Sequence, residues 1–306
     1  VGVLTTLRID EPTAVQRHVD GAQLSNGENA RMLLVFALSV AAFISAFILV
    51  GHQTSGIKNW LGAGPLLGLL LEVIRLLSAV AVAFGAGYTL VRAGVAPSAV
   101  AQQTWLAPVR DFFSRYGMRT AWLVLSLIGL YRISDIVLGV ISNVFYQDLG
   151  FTKPEIATAV KTYGVLIGIA GSVLGGLVAS RYGVMRTLMW GAILSALTNL
   201  AFVALAMAGH DLSLMYAVVS ADNLAAGFAS AAFVAFLSSL TNVQFTAVQY
   251  AIFSSLMTLL PKTLGGYAGG IVDTINYPGF FIFTTLIGLP VIWLVYLAGR
   301  RLHPGN

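Results

Sequence analysis

The sequence has no cysteine and few charged residues. Of its 306 residues, 9% are charged and 58% are hydrophobic. The lack of cysteine excludes disulfide bonds and thiolate chemistry. Because soluble domains usually contain about a quarter charged residues, the low charge content predicts an integral membrane protein. Residues 1–31 are polar and mixed in charge, so they do not have the pattern of a signal peptide.

Histidine is also scarce, and its positions argue against a metal site. All four histidines fall in predicted loops or termini: His18, His52, His210 and His303. The sequence shows no nucleophile–base pair, metal-ligand cluster or phosphate-binding loop. We therefore expect that the chain is not an enzyme, and that it has no metal ion, no cofactor and no nucleic-acid partner.

Long apolar runs, in contrast, are abundant. A run of about 20 apolar residues can cross a bilayer as a helix. Eight such runs predict an all-α integral membrane protein with eight spans: 32–50, 65–91, 121–145, 155–179, 187–208, 213–240, 247–270 and 278–298. Two helix-start signals support these divisions. The sequence Thr152–Glu155 has the pattern of a capping box, and Pro278 falls in the first turn of the eighth span.

The basic residues predict one orientation. If the N-terminus is cytoplasmic, the segments inside the cell hold eleven lysine and arginine residues, whereas the outside segments hold only Lys58 and Lys153. Cytoplasmic segments of membrane proteins are enriched in such residues. The sequence therefore predicts that both termini are cytoplasmic.

The spans divide unevenly, which predicts a modular organisation. We expect an N-terminal cytoplasmic segment (1–31), an accessory hairpin (32–91), a cytoplasmic linker (92–120), six closely joined spans (121–298) and a cytoplasmic tail (299–306). The linker contains Trp105–Tyr116, whose aromatic and arginine side chains suit a helix lying on the inner membrane surface. A simple connector is the alternative.

The last six spans resemble two triplets of opposite orientation. The pattern Gly175–Gly183 ends the predicted fourth span, and the related pattern Gly269–Gly279 ends the seventh, which faces the other side of the membrane. Transporters built from inverted three-helix repeats have this arrangement. Paired glycines also occur at any close helix contact, so the pattern alone does not establish an inverted repeat.

The loop after the fourth span contains glycine, serine and arginine residues in the order Gly176, Ser180, Arg181, Gly183 and Arg186. This order resembles the loop signature of the major facilitator superfamily, which combines glycine, an acidic residue and basic residues, and it predicts a cytoplasmic gate loop. Ser180 stands where the signature prefers aspartate. The alternative is a short turn with basic residues that anchor it at the membrane surface.

Five charged residues lie within the last six spans at one predicted depth. They are Arg132, Asp135, Lys161, Asp222 and Lys262. Charges at the bilayer centre usually mark a substrate or ion pathway, and transporter sites are expected near the midplane. The formal excess of one positive charge predicts an anionic or zwitterionic ligand. The alternative is that these charges only neutralise each other, the interpretation we favour for Glu72 and Arg75 in the second span.

Several longer motifs resemble one family of transporters. The sequences Leu130–Gly139 (LYRISDIVLG), Leu149–Ile156, Ala221–Gly227, Ala231–Leu237 and Phe245–Ala251 are together similar to AmpG-type muropeptide permeases, which are major facilitator proteins. The resemblance covers about 110–300. It implies a half-bundle of six helices, and it implies that 31–91 is the hairpin that some members insert between their two halves.

The resemblance also implies a function. Such permeases import anhydro-muropeptides, sugar–peptide fragments of the cell wall, across the bacterial inner membrane with protons, which serves peptidoglycan recycling and β-lactamase induction. The polar motif residues implied to line the substrate and proton pathway are Tyr131, Arg132, Asp135, Lys161, Asp222, Asn223, Gln249, Tyr250 and Lys262.

The resemblance further implies that a first six-helix half is missing from this chain, which begins with Val1. We therefore expect the C-terminal half of a transporter whose energy source is the proton gradient. Two alternatives remain. One is a carrier of another anionic solute such as acetyl-CoA, and the other is a membrane remnant that does not transport.

Overall fold

The computed structural model describes residues 25–61 and 65–302, and within them the regular structure is helical throughout. Two short π-helical segments, Gln102–Leu106 and Ala157–Tyr163, interrupt the α-helices. The α-helices are α1 (Asn26–Leu61), α2 (Pro65–Arg92), α3 (Ser98–Ala101), α4 (Ala107–Leu130), α5 (Ile133–Asp148), α6 (Lys153–Ile156), α7 (Gly164–Tyr182), α8 (Val184–Ala208), α9 (Leu212–Leu240), α10 (Thr246–Gly265) and α11 (Ala268–Leu302).

Seven helical stretches in the described residues are long and apolar enough to cross a membrane. They include the whole of Ser98–Asp148, in which α3, α4 and α5 follow one another. The predicted seventh span, 247–270, is not among the seven. Most of it is α10, a 20-residue helix that contains Gln249 and Lys262. The chain is therefore a multi-pass membrane protein.

The six-helix part has a symmetric packing pattern. The α4–α5 unit packs mainly against α10 and α11, and α9 packs mainly against α7 and α8. Helices α8 and α11 pack against each other. If α4–α5, α7 and α8 form one triplet and α9, α10 and α11 the other, then the first helix of each triplet packs on the last two of its counterpart. This pattern agrees with two related triplets.

One part of the sequence argument for the repeat is wrong. Gly269 does not end the seventh span, because α10 ends at Gly265 and Gly269 lies in the first turn of α11. Helix α11 then kinks at Asn276, whose φ of 60° lies in the left-handed region. Pro278 directly follows this kink and opens the second part of α11, as the sequence predicted. The capping box at Thr152 is also confirmed. The Thr152 hydroxyl accepts from the backbone N–H of Glu155, and the Glu155 carboxylate accepts from the backbone N–H of Thr152.

Two buried clusters fill the bundle, and the break between α4 and α5 lies between them. One cluster contains Tyr131, Leu188 and Phe233. The other begins at Val137 and contains a group of aromatic side chains, among them Phe281. The polar residues at the break therefore lie between two apolar clusters, where partners within the bundle stabilise buried polar groups.

The hairpin formed by α1 and α2 is tied to the six-helix part by a polar contact. Glu72 lies between Lys58 at 2.8 Å and Arg75 at 3.2 Å. Lys58 Nζ also donates to the hydroxyl of Tyr267, which in turn donates to the carbonyl oxygen of Gly68 at 2.6 Å. Since Tyr267 lies between α10 and α11, this network joins the hairpin to the bundle. The predicted Glu72–Arg75 contact is confirmed, and its link to Tyr267 agrees with the structural interpretation.

Candidate functional site

The helix break at Tyr131 and Arg132 positions the candidate site. Arg132 has φ −98° and ψ 10°, so it leaves the helical conformation and α5 begins at the next residue. The Tyr131 side chain is buried. Its hydroxyl donates to the carbonyl oxygen of Leu188 at 3.0 Å, and its ring stacks on Phe233 with centroids 4.6 Å apart. Tyr131 therefore fixes the break in the core.

Arg132 and Asp135 form an ion pair directly after the break. The Nε atom of Arg132 lies 3.1 Å from the Oδ2 atom of Asp135, and the side chains are 22% and 12% exposed. Arg132 also donates to the Ser230 hydroxyl on α9, and the Ser195 hydroxyl on α8 donates to Asp135. Asp135 lies in the first turn of α5, where the helix dipole stabilises a negative charge. Both members of the pair are thus held by neighbouring helices.

Asp222 on α9 is the third charged residue of this cluster. It is half-buried, and the charges of Asp135 and Arg132 act on its carboxyl group through space, without a direct contact; Asp222 lies about 12 Å along the α9 axis from Ser230. Among the residues described, Asp222 accepts no hydrogen bond and forms no ion pair. The cluster of Arg132, Asp135 and Asp222 therefore contains one cation and two carboxyl groups, and the second carboxyl group has no partner of its own.

The two lysines that the sequence predicted at this level do not join the cluster. Lys161 lies in the π-helical segment before α7, and Lys262 lies near the end of α10; both are exposed. Neither has an ion-pair partner in the described part of the chain. With both lysines elsewhere, the cluster has a formal charge of −1 when both carboxyl groups are ionised, instead of the positive excess predicted for all five residues.

A buried neutral network lies beside the charged cluster and was missed from the sequence. The Asn199 side chain on α8 donates to the Ser134 hydroxyl at 2.5 Å, and Ser134 donates to the carbonyl oxygen of Thr284 on α11 at 2.8 Å. Asn199 and Ser134 are 1% and 4% exposed. An asparagine in the middle of an apolar span was the available signal, because an amide there needs a partner.

An open groove of about 520 Å³ lies between α7 and α9. Helices α7 and α9 run parallel and approach closely, since Gly227 directly faces the backbone of Gly168 and Gly175 faces that of Phe228. The predicted residue Asn223 lines this groove. The groove reaches Ser230, the residue that binds Arg132, so it adjoins the charged cluster. Its lining consists of Val165, Gly168, Ile169, Ser172, Val173, Asn223, Ala226, Gly227 and Ser230.

Gln249 is in a different polar network. It is 2% exposed, and its amide group donates to the carbonyl oxygen of Pro108 at 2.8 Å and to Asp111 at 3.0 Å. Its side-chain oxygen accepts from the Asn242 backbone at 2.7 Å and from Arg115 at 3.2 Å. Gln249 thus fastens the start of α4 to the turn between α9 and α10.

The start of α4 also packs through apolar side chains. Phe112 is buried against Phe253 of α10, and Tyr250, which the sequence placed on the pathway, packs on the same cluster. The predicted amphipathic linker is therefore attached to the bundle by one face. Leu106 and Val109 on its other face are exposed.

The predicted gate loop is a tight connection between α7 and α8. Gly183 has φ 89°, a left-handed conformation that favours glycine, and it ends α7 directly before α8 begins. Ser180 donates to the carbonyl oxygen of Leu177 within its own helix, and the Arg181 guanidinium lies over the ring of Tyr182. Gly176 and Arg186 are exposed. Arg181 and Arg186 form no ion pair within the described segments.

No family model matches the chain, but individual relatives do. It is 32% identical over 203 residues to the anhydromuropeptide permease of Escherichia coli K12, an alignment that covers 66% of this chain and 41% of the relative. It is 33% identical over 200 residues to a protein of Rickettsia conorii named AmpG 4, with 65% and 48% covered. A Rickettsia typhi protein named AmpG 3 is 32% identical over 181 residues, with 59% and 43% covered.

The chain therefore spans about half the length of the curated relatives it matches. These relatives bear the names of permeases and AmpG proteins, and they match this chain over roughly two thirds of its length. The motifs at Leu130–Gly139 and Ala221–Gly227, which carried the resemblance in sequence, contain the three charged residues that the fold brings together. The similarity confirms that this chain is related to the AmpG-type permeases.

Proposed function

We propose that the chain is the C-terminal half of a transporter that carries anhydro-muropeptides inward across the bacterial inner membrane together with protons. The observation that carries this proposal is the cluster of Arg132, Asp135 and Asp222 beside an open groove, in a chain related to a permease of that ligand. Such import would serve peptidoglycan recycling, and both termini would be cytoplasmic.

The charged cluster has the properties that proton coupling requires. Charged residues within the membrane are costly unless they are paired, and they mark proton relays in many pumps and transporters. Arg132 and Asp135 neutralise each other, whereas Asp222 remains an additional carboxyl group. Uptake of one proton would make the cluster neutral. We therefore assign proton binding to the two carboxyl groups, and we assign ligand binding to the groove and to Arg132.

The proposal needs a second half. Alternating access in such transporters arises when two repeats or bundles rock about a central site. This chain supplies one six-helix bundle and a hairpin, and it matches about half of each relative. We propose that a first six-helix half forms the opposite wall of the pathway and that this chain alone binds the ligand without transporting it.

Equilibrium binding tests the proposal on this chain. The chain is placed in lipid nanodiscs and titrated with radiolabelled anhydro-muropeptide, and acetyl-CoA serves as competitor. We expect saturable binding that acetyl-CoA does not displace. Arg132→Gln should weaken binding about tenfold, which corresponds to about 1.4 kcal/mol.

Arg119→Gln is the matched control, because Arg119 is exposed on α4. It removes the same charge and should leave the Kd unchanged. Displacement by acetyl-CoA would favour the carrier of another anionic solute. A lack of any saturable binding would contradict the proposed function and would favour a membrane protein that does not transport.

A further inference from the structure

The groove between α7 and α9 contains no charged side chain, which limits what it can bind. Its polar side chains are Ser172, Asn223 and Ser230, and its remaining lining is apolar or glycine. The lining offers a carboxylate no cation to pair with, and an unpaired charge beside apolar side chains is unfavourable. The chemistry of the groove therefore suits a neutral group.

The hydrogen bonds already made within the groove determine which of its polar atoms can still bind a ligand. The Ser172 hydroxyl donates to the carbonyl oxygen of Gly168 at 3.0 Å, and the Ser230 hydroxyl donates to that of Ala226 at 2.6 Å. One N–H of the Asn223 amide is used by the carbonyl oxygen of Val219 at 2.9 Å. Because a hydroxyl has one proton to donate, both serines can only accept further hydrogen bonds.

The groove is therefore richer in acceptors than in donors. Ser172 Oγ and Asn223 Oδ1 can each accept, and a single N–H of Asn223 is left to donate. The ligand group that satisfies these atoms must supply at least two donors and no negative charge. Hydroxyl groups on a ring provide such donors, and the C–H faces of the ring suit Val165, Ile169 and Val173, which line the same groove.

The groove also has a direction. Asn223 and Ser230 are seven residues apart on α9, about 10 Å along the helix axis. At the Ser230 end, Arg132 donates to the Ser230 hydroxyl. When one of the two carboxyl groups of the cluster has taken up a proton, the cluster has no net negative charge, and the anionic part of a ligand can then lie toward Ser230 and Arg132.

We infer that the α7–α9 groove is the subsite for the neutral pyranose part of the ligand, with the carboxylate-bearing peptide directed toward Arg132. This inference rests on the proposed function, because it assigns the two parts of a sugar–peptide ligand to two places in one site. It makes Ser172 and Asn223 specificity-determining residues for the sugar.

Cysteine protection tests the inference directly, because the chain contains no native cysteine. The Ser172→Cys variant is reconstituted in nanodiscs, and its rate of alkylation by N-ethylmaleimide is measured with and without ligand. The probes are the disaccharide N-acetylglucosaminyl-1,6-anhydro-N-acetylmuramic acid without peptide, the free stem peptide and the intact anhydro-muropeptide. Val165→Cys is a second groove variant, because Val165 is 51% exposed.

We expect the disaccharide and the intact ligand to slow alkylation of both groove variants about tenfold when the ligand is present at about ten times its Kd. The free peptide should give no protection. Ser238→Cys is the matched control, since Ser238 lies on α9 outside the groove and is exposed. Its alkylation rate should not change with any of the three probes.

Two results would overturn the inference and leave the proposed function in place. One is protection of the groove variants by the free peptide. The other is unchanged alkylation of both groove variants when radiolabelled intact ligand is bound to the same sample. If the intact ligand does not bind to the unmodified chain at all, both the inference and the proposed function fail.

Discussion

At the scale of single residues, the site is built from one ion pair and one additional carboxyl group. Arg132 and Asp135 are joined to each other and to serines on two other helices, whereas Asp222 has no such bonds among the described residues. The two carboxyl groups therefore differ in their surroundings, and substitution of each should have a different consequence.

Asp135→Asn should lower the free energy of unfolding. It removes the negative partner of Arg132, and both side chains are largely buried. A buried polar group that loses its partner costs roughly 1–3 kcal/mol and a charged group costs more, but the 22% exposure of Arg132 reduces the cost, so we expect about 1–3 kcal/mol. Denaturant unfolding in mixed micelles measures the effect. Asp273→Asn, at an exposed position of α11, should be neutral; equal stability of the two variants would contradict the role of the pair.

Asp222→Asn should leave stability nearly unchanged but remove proton coupling. Since Asp222 has no ion-pair partner in the described structure, the amide replaces its carboxyl group without stranding another charge. In a transport-competent assembly, we expect exchange of labelled ligand across the membrane to persist and accumulation driven by a proton gradient to disappear. Gradient-driven accumulation at the level of the unmodified protein would exclude Asp222 as the proton-binding residue.

Sequence spacing predicted some of these contacts and could not predict others. The ion pair was predictable, because residues three apart on a helix lie on one face. The contributions of Ser195 and Ser230 depend on how α8 and α9 pack around the break, and a serine in an apolar helix gives no sign of its partner. Gln249 was assigned to the pathway from its polarity within a predicted span. Its observed partners, Pro108 and Asp111, are more than a hundred residues away in sequence.

At the scale of helices, the close contact of α7 and α9 defines the groove. It depends on glycines at which the backbones meet, which is a common solution in membrane helices. Gly175 and Gly176 are neighbours in sequence but differ in their surroundings. An added Cβ atom at Gly175 would lie 2.5 Å from the carbonyl oxygen of Phe228, whereas one at Gly176 would meet no atom within 4 Å.

Gly175→Ala should therefore destabilise the protein, and Gly176→Ala should not. Overpacking at a rigid backbone contact typically costs about 1–3 kcal/mol. In an open helical position, replacement of glycine by alanine is favourable by up to about 1 kcal/mol. Denaturant unfolding in mixed micelles compares the two variants. Equal destabilisation by both variants would show that the close contact of α7 and α9 does not restrict the size of the side chain at position 175.

Helix existence was easier to predict from the sequence than helix ends. Apolar runs located the helices, and the capping box at Thr152 located a start. The break at Tyr131 and Arg132 contains neither glycine nor proline, so no local signal marked it. It is stabilised by tertiary contacts, namely the hydrogen bond of Tyr131 to Leu188 and its stacking on Phe233. The predicted end of the seventh span lies beyond the observed end of α10 at Gly265, because the apolar run continues past that residue.

At the scale of the whole molecule, the chain combines a six-helix bundle with an attached hairpin. The network of Glu72, Lys58 and Tyr267 ties the hairpin to one end of the bundle, and Gln249 ties the start of α4 to the turn between α9 and α10. The groove and the charged cluster both belong to the bundle. The account therefore predicts that ligand binding is a property of this chain and that transport needs a second bundle.

Uptake into proteoliposomes tests this central claim most directly. The chain is reconstituted alone or together with a first six-helix half, and radiolabelled anhydro-muropeptide is supplied outside under an inward-directed proton gradient. The account predicts accumulation only when both halves are present, and loss of accumulation when the gradient is collapsed. Absence of uptake by two halves that have assembled, or uptake that is indifferent to the gradient, would contradict it.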